Sequence, residues 1–220
     1  MSHDPGRIAF VVAAVIVLGW FALGTQLNIR RGNRLLHWLQ TGMPLVGERT
    51  TLRWLGSSGL ELKVQTAVAP LKSAEVFILL EPRDLPVLWW LFRARGRRDL
   101  LIVRGELRDA PPFELEALDT HAWSTRGLER TLRRDRWTPV DVPPDSSLVA
   151  YGRGSRARAD AASHALPMAT LPELSLVRLA IRHAAPNLEV QWHVTALRSL
   201  ESRRVFETVH RLARSLSARA

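Results

Sequence analysis

The hydrophobic pattern divides the chain near residue 27. Ile8 to Gly24 is a run of 17 residues without a charge, and Thr25, Gln26 and Leu27 extend it to 20. A helix rises about 1.5 Å per residue, so about 20 residues cover the roughly 30 Å hydrocarbon layer of a bilayer. Trp20 and Phe21 stand near one end, where aromatic rings favour the lipid–water interface. Only Arg7 precedes the run as a cation, whereas Arg30, Arg31 and Arg34 follow it closely. The positive-inside rule then orients the chain in a cell inner membrane. Residues 1–7 form an outer tail and 8–27 a transmembrane helix. A basic juxtamembrane helix and linker over 28–48 and a domain over 49–220 are expected in the cytoplasm. Ala22 and Gly24 also have a spacing that a signal peptidase accepts. The single Arg before the run, the length of the run and the arginines just past that cut weigh for a retained signal-anchor.

Arg34 to Gln40 keeps helical spacing, with Leu35, Leu36, Trp38 and Leu39 suited to lying along the interface and Gly32 placed to loosen the join. Strand patterns follow. Thr50 to Val68 reads as a hairpin with Leu52 opposite Val64 and Trp54 opposite Leu62, closed by Ser57-Ser58-Gly59. That register sets Arg53 against Lys63, an unfavourable pair. Ala74 to Leu80 is the apolar run of a central strand, ended by Glu81-Pro82. Leu100 to Leu107 and Phe113 to Leu118 suggest a second hairpin. Phe113, Leu115 and Ala117 would be buried there, and Glu114 and Glu116 wet.

Ser124 to Arg134 is expected to be a short basic helix. Residues 138–172 are rich in Pro and Gly and predict a loop-rich segment with one strand, Ser147 to Tyr151. The last hairpin sets 177 opposite 194, 179 opposite 192, 181 opposite 190 and Arg182 opposite Glu189. Val205, Val209, Leu212 and Leu216 then recur at helical spacing, with Phe206 and Ala213 beside them. The expected class is α+β. One N-terminal transmembrane helix precedes a mostly antiparallel β-sheet domain, and a C-terminal amphipathic helix packs on the sheet.

Composition sharpens this picture. The 220-residue chain has a formal net charge of +10, carried by 29 Arg and 2 Lys against 21 acidic residues. Heavy Arg use with abundant Ala, Leu and Val suits a GC-rich bacterial genome. A basic domain tethered to a bilayer has anionic headgroups as its natural counter-surface, with a membrane protein as a further partner. Nucleic acid ranks below these. The absence of Cys excludes disulfides, thiolate metal sites and a cysteine nucleophile. No P-loop, H-E-x-x-H, G-x-S-x-G or metal-spaced His and carboxylate cluster occurs. The sequence therefore assigns no catalytic, cofactor or metal residue and favours a non-enzymatic role.

Asp84 to Arg98 (DLPVLWWLFRARGRR) is the most suggestive segment. Asp84 is placed to cap a short helix with Pro86 in its first turn. Trp89, Trp90 and Phe92 stand beside Arg93, Arg95, Arg97 and Arg98. Aromatics next to a cation cluster suit docking on a bilayer. A second candidate is the loop Gly152-Arg153-Gly154-Ser155-Arg156, a partial match to a phosphate-cradling glycine pattern. It carries an alternative reading, a membrane-tethered enzyme or binding module for a phosphorylated ligand. Paired Glu114 and Glu116 offer acid–base chemistry only if both sit in a cleft. Glu81, Arg83 and Asp84 read as a structural charged turn.

Overall fold

A computed structural model of the chain describes residues 5–142, 146–153, 164–195 and 200–217. One helix, α1 (Pro5–Gln40), runs through the whole N-terminal region and is long and apolar enough to cross a membrane. Gly32 does not loosen it. Up to Leu23 the helix is exposed almost all round, over about 28 Å at 1.5 Å per residue. From there Gly24, Asn28, Gly32, Leu35 and Leu39 are buried, one residue per turn on a single face. The C-terminal half of α1 thus packs on the domain. Leu35 and Leu39, expected along a bilayer surface, lie in the protein core instead.

The domain is one nine-stranded sheet, with every neighbouring pair antiparallel. Its strands are β1 (Gly47–Trp54), β2 (Gly59–Ala67), β3 (Leu71–Leu79), β4 (Leu100–Leu107), β5 (Glu114–Asp119), β6 (Thr138–Val140), β7 (Leu148–Arg153), β8 (Ser175–Ile181) and β9 (Leu188–His193). The order across the sheet is β1-β2-β3-β4-β9-β8-β5-β7-β6. Among the described residues four helices follow α1: α2 (Pro86–Ala94), α3 (Leu128–Arg134), α4 (Leu166–Ala169) and α5 (Ser202–Ser217). One sheet face carries Leu60, Val76, Ile78, Leu101, Val103, Leu115, Leu179 and Trp192. These residues form a single core with Leu35 and Leu39 of α1 and Val205, Phe206, Val209, Leu212 and Leu216 of α5. The antiparallel sheet and the amphipathic C-terminal helix thus stand as the sequence pattern implies.

Pairings differ from the sequence expectation in ways that charge and topology explain. The first hairpin sets Leu52 opposite Leu62 and Trp54 opposite Leu60, two residues away from the expected register. Both registers bury the same face, and the one adopted avoids the like-charge pair of Arg53 and Lys63. Arg53 now lies opposite Glu61. Lys63 meets Glu61 at 3.4 Å and Glu75 at 3.2 Å. The turn becomes Leu55 to Ser58, with Gly56 at a φ of +70°. The last hairpin shifts similarly, with Leu179 opposite Val190 and Ile181 opposite Leu188, after an irregularity between Leu176 and Arg178. Its loop closes through Asn187, whose side chain donates to the Arg182 and His183 carbonyls and accepts from the Leu107 N–H.

Four further expectations are corrected. β4 and β5 form no hairpin, because β9 and β8 lie between them. Leu100 to Val103 are buried on both faces, as a strand with neighbours on each side requires. Glu116 is not wet: it is fully buried, and Arg178 and Arg182 both donate to it. The segment 138–172 contains two strands and the short α4 among its described residues. The basic helix expected over 124–134 is a 3-10 turn at Trp123–Thr125 followed by α3.

The second sheet face is a charge ladder. Lys63, Glu75, Arg104, Glu189, Ala180, Glu116 and Tyr151 follow one another as direct cross-strand neighbours from β2 to β7. Arg104 donates to Glu189 at 2.6 Å and stacks over the Phe77 ring at 5.0 Å. Arg178 spans Ala180, reaching Glu189 at 3.1 Å and Glu116 at 2.9 Å. Burial works against the charge of Glu189, but Arg178, Gln191 and Arg104 outweigh it and hold its pKa below the ordinary carboxylate value.

Two predictions follow from the ladder. Glu116→Ala strands two arginines against a buried face, so it should cost about 3 kcal/mol in urea unfolding. Glu114→Ala, whose partners Arg153 and His183 are largely exposed, should cost under about 1 kcal/mol. A carboxylate whose folded pKa is depressed stabilises above its unfolded value, and that stability is lost as pH falls through the folded one. Acid titration of the melting temperature should therefore decline less steeply below about pH 4.3 in Glu189→Gln than in the wild type.

Candidate membrane-docking site

The site is built where α1 first touches the domain. A Cβ on Gly24 would lie 2.2 Å from the Arg83 carbonyl oxygen, so only glycine lets the helix backbone approach this closely. One turn earlier, the Trp20 indole N–H donates to that same carbonyl at 3.0 Å. The Arg83 guanidinium donates to Asn28 Oδ1 at 3.1 Å and to both carboxylate oxygens of Asp99 at 3.2 Å. Arg31 reaches the same carboxylate at 3.2 Å and the Val194 carbonyl at 3.3 Å. Asp99 also accepts the Glu81 backbone N–H at 2.9 Å. One buried carboxylate thus ties α1, the turn after β3 and the end of β9 together.

A second buried carboxylate holds α2. Glu81 accepts from the Trp89 indole at 2.5 Å and from Arg93 at 2.9 Å. Asp84 does not cap α2; Leu85 holds the N-cap position without a side-chain bond, and Asp84 accepts from Ser57 at 2.6 Å. Trp89 and Arg93 are tied to Glu81, Phe92 leans on Trp123, and Val87, Leu88 and Trp90 face out. No residue of α2 is buried, Val87 is 75% exposed and Trp90 is 70% exposed. Arg97 lies 5.1 Å from the Phe92 ring centre and 4.8 Å from that of Trp123. Burial lowers its pKa, opposed by the charge of Glu81. Arg98 donates to the Arg93 and Arg97 carbonyls, which closes the helix C-terminus, and Arg126 donates to the Arg95 carbonyl.

These ties give the molecule an apolar end. Outside α1, the exposed large hydrophobic residues among those described are Leu52, Leu55, Val68, Leu85, Val87, Leu88, Trp90 and Trp123. Leu55 lies in the β1–β2 turn, Leu85 to Trp90 in the β3–β4 connection, and Trp123 just after β5. All of these connections leave the sheet at the end from which the free part of α1 projects. Trp20, Leu23, Gly24 and Leu27 of α1 border a groove of about 250 Å³ with Arg83 and Trp89. The outer face of α2 therefore continues the apolar surface of α1.

The other sequence candidates fall elsewhere. Arg30 and Arg34 are exposed on α1, beside the paired Arg31. Gly152 and Arg153 end β7. Gly152 pairs with Leu115 and Thr138, while Arg153 stacks on Trp137 and donates to the Asp135 carbonyl. Gly154 and Arg156 lie outside the described residues. No group of three metal-ligating residues occurs among those described. No protein-family model matches this chain and no curated protein matches it, so the site is read from its geometry.

Trp20, Asp99 and Trp123 were not legible as members of the site. Asp99, an acid directly after four arginines, was the one available signal for a buried partner. Asp99→Ala leaves Arg31, Arg83 and the Glu81 N–H without their acceptor, and should cost about 3 kcal/mol. Hydrogen exchange should then accelerate together in residues 24–32 of α1 and in α2, with the distal β5–β7 pairing unchanged.

Proposed function

We propose that this chain is a single-pass inner-membrane protein whose basic domain is held with one end against the cytoplasmic leaflet and engages anionic headgroups, without enzymatic activity. The observation that carries this reading is the attachment of α2 beside Trp20 to Leu27 of α1. If residues 8–27 span the hydrocarbon layer, that stretch occupies about the last 10 Å on the exit side. Val87, Leu88 and Trp90 then lie at the edge of the hydrocarbon layer against the headgroups, where aromatic rings are favoured. Arg30, Arg34 and Arg95 are exposed nearby, and each cation near an anionic leaflet contributes about 1 kcal/mol.

The division of labour differs from the simple docking patch. Arg93 and Trp89 hold α2 in place through Glu81, so they act as scaffold. Trp90 and Arg95 are left to meet the bilayer, with Arg97 and Arg98 supporting the aromatic edge. Retention of α1 is supported by its use in the fold. Cleavage after Gly24 would remove the Trp20 indole that bonds to the Arg83 carbonyl. The three arginines after the run give the orientation. The reading for a phosphorylated ligand has less support, because Arg153 is already engaged by Trp137, Asp135 and Glu114.

Because the chain lacks Cys, single-site labelling tests this directly. A polarity-sensitive dye on Trp90→Cys, in nanodiscs containing anionic lipid, should emit as from an apolar medium and be quenched by nitroxide-labelled lipid. The same dye on Asp109→Cys, in the exposed loop at the other end of β4, should emit as in water. Equal, water-like emission at both positions would overturn the docking.

A further inference from the structure

The nine-stranded sheet has two unequal edges. β6 is three residues long and includes Pro139, which has no N–H to offer a new strand. β1 is eight residues long and is paired on one side only. Its positions 48–53 are exposed. The Leu55 N–H donates to the Gly59 carbonyl, so alternation turns the backbone groups of Thr50, Leu52 and Trp54 to the open side. An open groove of about 610 Å³ lies between this edge and the end of α1, lined by Leu36, Leu39, Leu52 and Leu62 together with Glu48 and Arg49. Arg53 is exposed on the other face of β1, and neither it nor Arg49 has an ion-pair partner among the described residues.

We propose that β1 receives an added strand from an extended segment of a partner protein, in which apolar and acidic side chains alternate. The period of a strand places successive side chains on opposite faces. On this edge that means one set entering the groove beside Leu52 and the other meeting Arg53, with Arg49 as a second cation at the groove. Main-chain hydrogen bonds supply affinity, and the groove and the two arginines supply selectivity.

A second copy of the chain does not fit, an argument that rests on the membrane reading. β1 runs back along α1: Leu36 to Gln40 border Gly47 to Leu52, and Thr25 to Asn33 border Trp54 to Ser57. Two copies in one membrane with the same orientation would bring their β1 strands together in parallel. A two-fold axis along that direction sets each outward residue against its own copy, with N–H facing N–H. Antiparallel pairing would need the two copies to enter the membrane from opposite sides.

The test uses the full chain in nanodiscs and a fluorescent seven-residue peptide of alternating Val and Glu. The peptide should bind saturably. A version with Lys in place of Glu, and one N-methylated throughout its backbone, should each bind at least tenfold more weakly. The double variant Arg49→Glu, Arg53→Glu should reverse the preference toward the Lys peptide. No saturable binding, or equal binding of the N-methylated peptide, overturns the strand site. Oxidative cross-linking of Thr51→Cys between two copies in one disc also overturns it, in favour of self-association. Co-elution of chain and disc is read in the same sample. A chain that fails to insert sinks the membrane reading, whereas an inserted chain that ignores the peptide sinks the strand site alone.

Discussion

The contact between the α1 backbone at Gly24 and the Arg83 carbonyl sets the geometry of the rest. It fixes where a continuous 36-residue helix stops being free and becomes part of the domain. Gly32 repeats the arrangement two turns on, where a Cβ would collide with Trp54 and Leu60. Below it Leu35 and Leu39 enter the core, Trp38 donates to the Leu200 carbonyl, and Thr41 meets Ser202 at the start of α5. Because α1 is stiff and packed along half its length, its free half projects from the domain in a defined direction. The placement of α2, the apolar end of the sheet and the open edge of β1 all take their meaning from that direction.

Charge in this molecule does two different things. The ladder across the outer sheet face and the Asp99 and Glu81 clusters place carboxylates with little or no exposure among several arginines. Such pairs are weak sources of net stability, because desolvation offsets much of the attraction, but they are costly to break and therefore specify register. Arg178 and Glu189 tie β8 to β9 in this way. The remaining arginines, such as Arg30, Arg34, Arg49, Arg53 and Arg95, are exposed and make up the field that an anionic surface or acidic segment would meet.

The sequence was most informative where one local periodicity was enough. The apolar run, the stripe of α5, the central strand β3 and the presence of β7 all follow from spacing within a few turns or pleats. Alternation says which face a residue takes but not which strand lies beside it. Phe113, Leu115 and Ala117 were therefore correctly buried while their strand was given the wrong neighbour. Glu116 was misread for the same reason, since its arginines come from β8 and the loop after it, more than 60 residues away. β6 was missed because three residues containing a proline carry almost no pattern. In the docking segment, the aromatic and cationic residues were legible as a group. Their split into scaffold and outward-facing members depends on Glu81 and Asp99, whose burial no local pattern announces.

The membrane reading requires that α1 is retained and crosses the bilayer with the domain inside. The most direct measurement is the reaction of Ser2→Cys and Asp109→Cys with a membrane-impermeant maleimide in intact cells, together with the mass of the mature chain. A retained anchor gives a full-length chain, labelling at position 2 without permeabilisation, and labelling at position 109 only after it. A chain cut near Gly24, with position 109 labelled in intact cells, would contradict it.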